Sequence, residues 1–526
     1  MKNRVKNFNK LLNTLVNNLP FTIIPVIIYF LLLGGVLSCS SILNSSFFST
    51  FSVVCLILIP NNFLIESLNT DKTTKKVSLF ISVVLALTIG IMSNFGSEIF
   101  LSKLLHICIG YALTLFFISV YLNYKNSNNE FGNYLLKTLS SFIKITINYF
   151  ALAFGVLFIT LAFNYLILND IDFLSVLSLQ TIVFGCYYLP SLIYRLYKPE
   201  KEAEDFFKTL ISYILIPIVA IIFIIVYLYI LKLLITLNLP GNQVFELITI
   251  FFLIAMPVWT MSKHLKLNKT ESKLAFYFPY LFVPLIFIQI YCLSIRVVNY
   301  GLTTARYLCI SFVLLEIIYY ILYFTDSKKC GQILLFMAGF AFVTYSIPYI
   351  NMYDLSNQNQ YNRLNKYLEI ENPSDDELQA LSSSYYYLYF NVEGKNYLND
   401  ININKSYIES ISNTYYSGNN NYYNTDELEL NFDVKDYTNA RIVNGNIENN
   451  NVNILQDNQT ILTFTNTESF YQYISNRENL QNYLTKNSKI EINNNNTLIL
   501  TKLEFTYNDN TEEVNNFTFQ GILLTK

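Results

Sequence analysis

Apolar residues gather into eleven long runs, near 20–37, 47–66, 77–93, 101–123, 139–167, 173–194, 209–237, 244–262, 275–298, 303–325 and 332–350. At about 1.5 Å of rise per residue, each can cross roughly 30 Å of hydrocarbon. None shows the period-two alternation of a membrane barrel, and backbone amides in lipid must be paired within the segment, so all eleven are predicted helices. Pro190, Pro217, Pro257, Pro279, Pro284 and Pro348 fall in these runs and predict kinks rather than breaks. Ahead of the first run, Val5, Phe8, Leu11, Leu12, Leu15, Val16 and Leu19 recur at helical spacing among Lys and Asn. That pattern predicts an amphipathic basic helix over 1–19 on the inner membrane surface. Val36-Leu37-Ser38-Cys39 only faintly resembles a lipoprotein cleavage site, so the first run is read as a retained span.

The pattern changes after residue 350. The segment 351–526 is rich in Asn and Tyr, and its apolar residues come in short alternating sets: Ile461–Phe464, Lys489–Asn493, Thr497–Tyr507 and Phe517–Leu524. These predict strands separated by Asn-rich turns at Asn419–Asn421, Asn449–Asn451 and Asn493–Asn496. Ser374-Asp-Asp-Glu377 and Thr465-Asn-Thr-Glu468 are capping-box signals, the second ahead of Phe470, Tyr473, Ile474 and Leu480 at helical spacing. The expectation is a membrane all-α body of about eleven transmembrane helices, with a polytopic region over 20–350, followed by a soluble α+β domain over 351–526.

Charge sharpens this division. Residues 1–350 hold 24 Lys and Arg against 14 Asp and Glu, whereas 351–526 hold 11 against 23. With the N-terminus inside, the segments on the inner side carry nineteen basic residues, and the loops near 38–46, 94–100, 168–172, 238–243 and 299–302 carry none. Because basic loops stay cytoplasmic, the sequence predicts a cytoplasmic N-terminus and, after an odd number of spans, an extracytoplasmic tail. All seven Cys precede residue 350, so the tail is expected to fold without disulfides.

Candidate chemistry is sparse. Two histidines, His106 and His264, with no HExxH motif or paired Cys-x-x-Cys, argue against a zinc site, and the glycines form no GxxxxGK phosphate loop. No cofactor, metal or nucleic-acid partner is predicted. Lys103, Lys144 and Lys232 lie near helix ends, where they can snorkel. Glu316 falls near the middle of the tenth span, where it needs a hydrogen bond or a wet cavity.

Arg296 and Arg306 flank a tight turn, and the stretch Arg296-Val-Val-Asn-Tyr300-Gly301-Leu302-Thr303-Thr304-Ala305-Arg306-Tyr307 resembles the R-x-x-x-Y-G-L-T-x-x-R-Y signature of the domain-of-unknown-function 4153 family of bacterial membrane proteins. Tyr213–Pro217, followed by Tyr227–Leu239, Pro240 and Gly241, is similar to that family's helix ending in a Pro-Gly loop, and Gln360–Leu364 resembles its Q-x-x-R-L. The resemblance runs from about residue 1 to 390. It implies a polytopic membrane protein and brings no activity or catalytic residue. Arg296, Tyr300, Gly301, Thr303, Arg306 and Tyr307 are therefore candidates for a structural clamp or for a site taking an anionic ligand. The function expected is a non-enzymatic envelope protein that binds, senses or scaffolds, with membrane lipids and an envelope component or small anion at the outer face as partners. A secondary transporter of a small or anionic solute, or a transferase acting on lipid-linked substrate, are the alternatives. The missing acidic residue in the first outer loop, Ser38–Ser46, speaks against the transferase.

Overall fold

A computed structural model describes residues 13–38, 46–163, 173–236, 242–370, 373–399, 420–424, 437–448, 451–456, 459–464, 468–476, 480–493, 495–508 and 513–526. These fall into two compact units, residues 1–363 with 387–397, and residues 364–386 with 398–526.

The first unit contains eleven helices long and apolar enough to span a membrane: α1 (Pro20–Leu37), α2 (Phe47–Ser67), α3 (Lys72–Met92), α4 (Glu98–Asn126), α5 (Phe131–Ala162), α6 (Phe173–Tyr197), α7 (Asp205–Leu233), α8 (Phe245–Ser262), α9 (Lys269–Tyr300), α10 (Thr304–Thr325) and α11 (Lys328–Ser346). Each matches one apolar run, and several reach further because polar caps extend them. Asn268 and Glu271 form a capping box that starts α9 six residues before its apolar run. Asp71 caps α3 by accepting from Thr74 N and Oγ1. The last span stops at Ser346, because Ile347 precedes Pro348 and is held extended.

Two of the prolines change helix geometry. Turns of π-helix at Phe184–Tyr188 and Ile211–Leu215 lie just ahead of Pro190 and Pro217, where the proline removes an N–H and crowds the preceding turn. Large outward side chains such as Phe158 and Ile224 are well exposed, as lipid-facing surfaces require. The largest core lies among α7–α10, where Trp259, Phe278, Phe282 and Tyr319 are almost fully buried. Its polar tips are paired: Trp259 Nε1 donates to Tyr319 Oη at 3.0 Å, and Thr260 Oγ1 lies 2.6 Å from the same oxygen. Residues 1–12 of the expected amphipathic helix lie outside the described residues. Leu15 and Leu19 beyond them are buried against Ile23, Val26, Phe63 and Val120.

The second unit is built on a seven-stranded antiparallel sheet: β1 (Asn420–Asn424), β2 (Asn439–Glu448), β3 (Asn451–Gln456), β4 (Gln459–Phe464), β5 (Lys489–Glu491), β6 (Asn496–Asn508) and β7 (Glu513–Thr525). The order is β1-β6-β7-β2-β3-β4, with β5 also on β6. Two short helices, Glu468–Ser475 and Leu480–Lys486, bury Phe470, Tyr473, Ile474, Leu480 and Leu484 against Leu498, Leu500, Phe505, Phe517 and Phe519 of the sheet. The four expected strands are present as β4–β7, and β1–β3 are additional. The turn expected at Asn493–Asn496 closes through Asn493 Oδ1, which accepts from Asn495 N and Asn496 N. Glu448 pairs with Asn451 at the ends of β2 and β3, and Asn449 and Asn450 of the second tract lie outside the described residues. Asn420 and Asn421 depart from the expected turn because both pair with β6. The Thr465–Glu468 capping box lies largely outside the described residues. At Ser374, the backbone N–H and Oγ both donate to Glu377 Oε2 at 2.8 Å, which holds that carboxyl below its ordinary range.

Candidate functional site

Gly301 ends α9 with φ +70°, a conformation that costs an L-residue with a side chain. A Cβ there would also stand 2.8 Å from Gln360 Nε2 and 2.9 Å from Asn359 Oδ1, so both side chains would have to shift from their bonds to the turn. Those two side chains come from α12 (Met352–Leu368), the helix that follows the last span. Asn359 Oδ1 accepts from Leu302 N at 2.7 Å, and Gln360 Nε2 donates to Tyr300 O and Leu302 O at 3.1 and 2.9 Å. Arg363 Nη2 donates to Asn299 O at 2.7 Å. From the other side, Arg306 Nη1 donates to Tyr300 O and Gly301 O at 2.9 and 2.5 Å, and its guanidinium lies 5.6 Å from the Tyr300 ring. Thr303 caps α10 by accepting from Arg306 N, and Tyr307 Oη donates to Ile350 O at 2.8 Å. The turn's carbonyls, which would otherwise be orphans of a helix end, are thereby paired.

Arg296 stands one turn before the end of α9. Its charge and that of Arg363 both act on Arg306, and Arg296 and Arg306 both act on Cys309, as does Glu246 of α8. Among the described residues, Arg306 and Arg363 are both held at the turn by their bonds to its carbonyls, with the charges of Arg296 and Glu246 within reach. Below them, a cleft of about 360 Å³ opens between α9 and α10.

Further along the same helix pair, Glu316 is 1% exposed and Gln289 is fully buried. Gln289 Nε2 donates to Thr249 Oγ1 at 3.1 Å and to Glu316 Oε1 at 3.4 Å. Glu316 Oε2, Gln289 Oε1 and Tyr320 Oη are buried without a partner. Arg306 lies ten residues before Glu316 and Arg296 seven residues after Gln289, about three and two helical turns, so both belong to the turn and Glu316 to a separate cluster.

A family model for a domain of unknown function, DUF4153, matches residues 8–383, which takes in all eleven spans, the turn and α12. The chain belongs to this domain-of-unknown-function 4153 family. No curated protein and no solved structure matches it.

In this family member the two motif segments, Tyr300–Thr303 and Gln360–Arg363, meet in space, a contact that neither motif states by itself. Two further polar clusters escaped the sequence reading. Glu393 is 4% exposed on its side chain and accepts from Ser102 Oγ at 3.2 Å, with His106 Nδ1 3.1 Å away. The His106 ring lies parallel to Tyr353, centroids 3.4 Å apart. Ser102 and His106 sit four residues apart on one helix face, the only signal available, and Glu393 lies nearly 290 residues later. Glu66, near the end of α2, accepts from Phe21 N at 2.9 Å and from Thr22 N and Oγ1 at 3.2 and 2.5 Å, a buried carboxylate on the first turn of α1. Lys103, near the start of α4, approaches Asp354 at 3.9 Å, whereas Lys144 is not near a helix end as expected but thirteen residues into α5, which polar residues extend ahead of its apolar run, and it reaches Glu204 at 2.5 Å. No group of three or more His, Cys, Asp or Glu able to hold a metal occurs among the described residues.

Proposed function

We propose that this chain is a non-enzymatic protein of the bacterial cell membrane, with a cytoplasmic N-terminus and an acidic C-terminal domain displayed outside for binding, sensing or scaffolding. The observation that carries the reading is how the turn spends its polar groups: Arg306, Asn359, Gln360 and Arg363 are directed at backbone atoms of residues 299–302. That is the use expected of a rigid support. The nineteen-to-none distribution of basic residues supports the orientation.

Display is tested with Lys486→Cys, an exposed position on the last helix of the second unit. A membrane-impermeant maleimide should label it in intact cells, and labelling only after lysis would invert the topology. Proton-coupled transport is the competing use, favoured by the unpaired Oε2 of Glu316. In proteoliposomes carrying a pH-sensitive dye, the support reading expects no flux that distinguishes wild type from Glu316→Gln. A solute-dependent proton flux lost in that variant would replace support with transport.

A further inference from the structure

We propose that the cleft between α9 and α10 binds one anionic phospholipid, with an acyl chain between the helices and the phosphate against Arg296, Arg306 and Arg363. This goes beyond the support reading and does not depend on it, because the cleft is the same whichever end of the bundle faces outward.

The cleft is apolar along its length. Leu293 and Val297 of α9 line it with Ile310, Leu314 and Ile317 of α10. Its one hydroxyl, Ser294 Oγ, is already turned to Ile290 O at 2.5 Å. From Ile310 to Ile317 it runs for about 10 Å along the helix axis, a length suited to a chain rather than a compact solute. Leu314 is 43% exposed, so the cleft is open on the side from which a bilayer lipid would enter.

None of the three arginines lines the cleft itself, and all lie toward the turn that joins α9 and α10 or pair with it. Arg296 precedes Val297, Arg306 lies one helical turn before Ile310, and the charges of both reach Cys309, which adjoins Ile310. Arg363 adds a third charge close to Arg306. Among the described residues, the charges acting on Cys309 are those of Arg296, Arg306 and the Glu246 carboxylate. The hydrogen bonds of Arg306 and Arg363 to carbonyls fix where the guanidinium planes lie without neutralising them. A phosphate diester bearing hydrocarbon chains satisfies both halves at once. Any membrane lipid would fill the apolar half, and only an anionic head group answers the charge.

The test uses the full chain in detergent, with Tm and lipid retention by native mass spectrometry as readouts. Phosphatidylglycerol, phosphatidylcholine and inorganic phosphate are the three additions. Phosphatidylglycerol should raise Tm and remain bound at one per chain, whereas phosphatidylcholine and inorganic phosphate should not. Arg296→Gln should weaken phosphatidylglycerol binding roughly tenfold, the size expected when one charge-assisted contact is lost. Leu314→Trp, which fills the cleft from its lipid-exposed side and leaves the turn untouched, should abolish retention with Tm in lipid-free detergent unchanged. Equal responses to the two phospholipids would overturn the proposal. So would a wild-type response in both variants, and an equal rise with inorganic phosphate would assign the arginines to a soluble anion instead.

Discussion

Helices α9 and α10 enclose two polar clusters of opposite character. At their shared turn, Tyr300, Gly301 and Leu302 each receive a hydrogen bond from a side chain, and one carbonyl receives two. Four turns deeper, Glu316, Gln289 and Tyr320 leave three buried polar atoms unpaired. A buried polar atom without a partner costs about 1–3 kcal/mol, so the deeper cluster is tolerated where the turn is favoured. The comparison separates two uses of polarity in a membrane body. One holds the chain in a single backbone conformation. The other leaves a carboxyl oxygen buried without a partner.

Gly301 offers the strongest way to break this contrast. Gly301→Val would need a β-branched residue at φ +70° and would drive Cβ against Gln360 and Asn359. Strain at such a φ costs about 1–3 kcal/mol, and displacing two hydrogen-bonding side chains adds to it. The expected outcome is a large loss of folded protein in the membrane, read by fluorescence-detected gel filtration of detergent extracts. Wild-type yield and Tm would mean that the turn can move as a body and holds nothing in place.

Gln360→Ala should have a smaller effect. It leaves Leu302 O without its side-chain donor and takes one of two donors from Tyr300 O, while the backbone conformation at Gly301 is kept. The loss should be about 1–3 kcal/mol, and Gln360→Glu should do no better because it removes the donor. Both variants are checked by Tm in one detergent. A fall for Ala with full recovery for Glu would show that the side chain serves by packing and not by donation.

Much of this architecture was legible from the residues alone, for reasons that also explain what was not. Span helices satisfy their own backbone and announce themselves by length, so all eleven could be placed. The turn itself was legible because a Gly flanked by Arg lies between two apolar runs. Its partners on α12 lie about 60 residues on, and no local pattern couples the two. A separation of nearly 290 residues likewise hid Glu393 from His106. In the second unit, β4–β7 carry clean alternation, whereas β2 reads Asn439-Ala-Arg-Ile-Val-Asn-Gly445-Asn-Ile-Glu, with its inward face interrupted at Gly445. That gap is filled across the sheet by Phe519, its register partner, whose ring lies where a Cβ would be. A glycine completed by its neighbour's aromatic ring belongs to the pair of strands, and single-strand periodicity does not contain it.

Glu316→Gln should have the smallest effect on stability and sharpens the comparison most. The substitution keeps the shape of the side chain and adds an N–H to a cluster in which Glu316 Oε2 and Gln289 Oε1 are both unpaired acceptors. The new amide takes the place of Glu316 Oε2 and can donate to Gln289 Oε1, so the change in stability should lie within about 1 kcal/mol of zero and lean toward stabilisation. Glu316→Leu removes the acceptor altogether but also releases Gln289 Nε2 to its remaining partner, Thr249 Oγ1, at 3.1 Å. It should therefore cost less than Gln360→Ala at the turn, although Glu316 is the more deeply placed residue. Tm of the two Glu316 variants against Gln360→Ala, in the same detergent and pH, decides the matter. If Glu316→Gln proves the more destabilising, the deeper carboxyl is a structural bond in its own right, and the division between a locked turn and a slack interior falls.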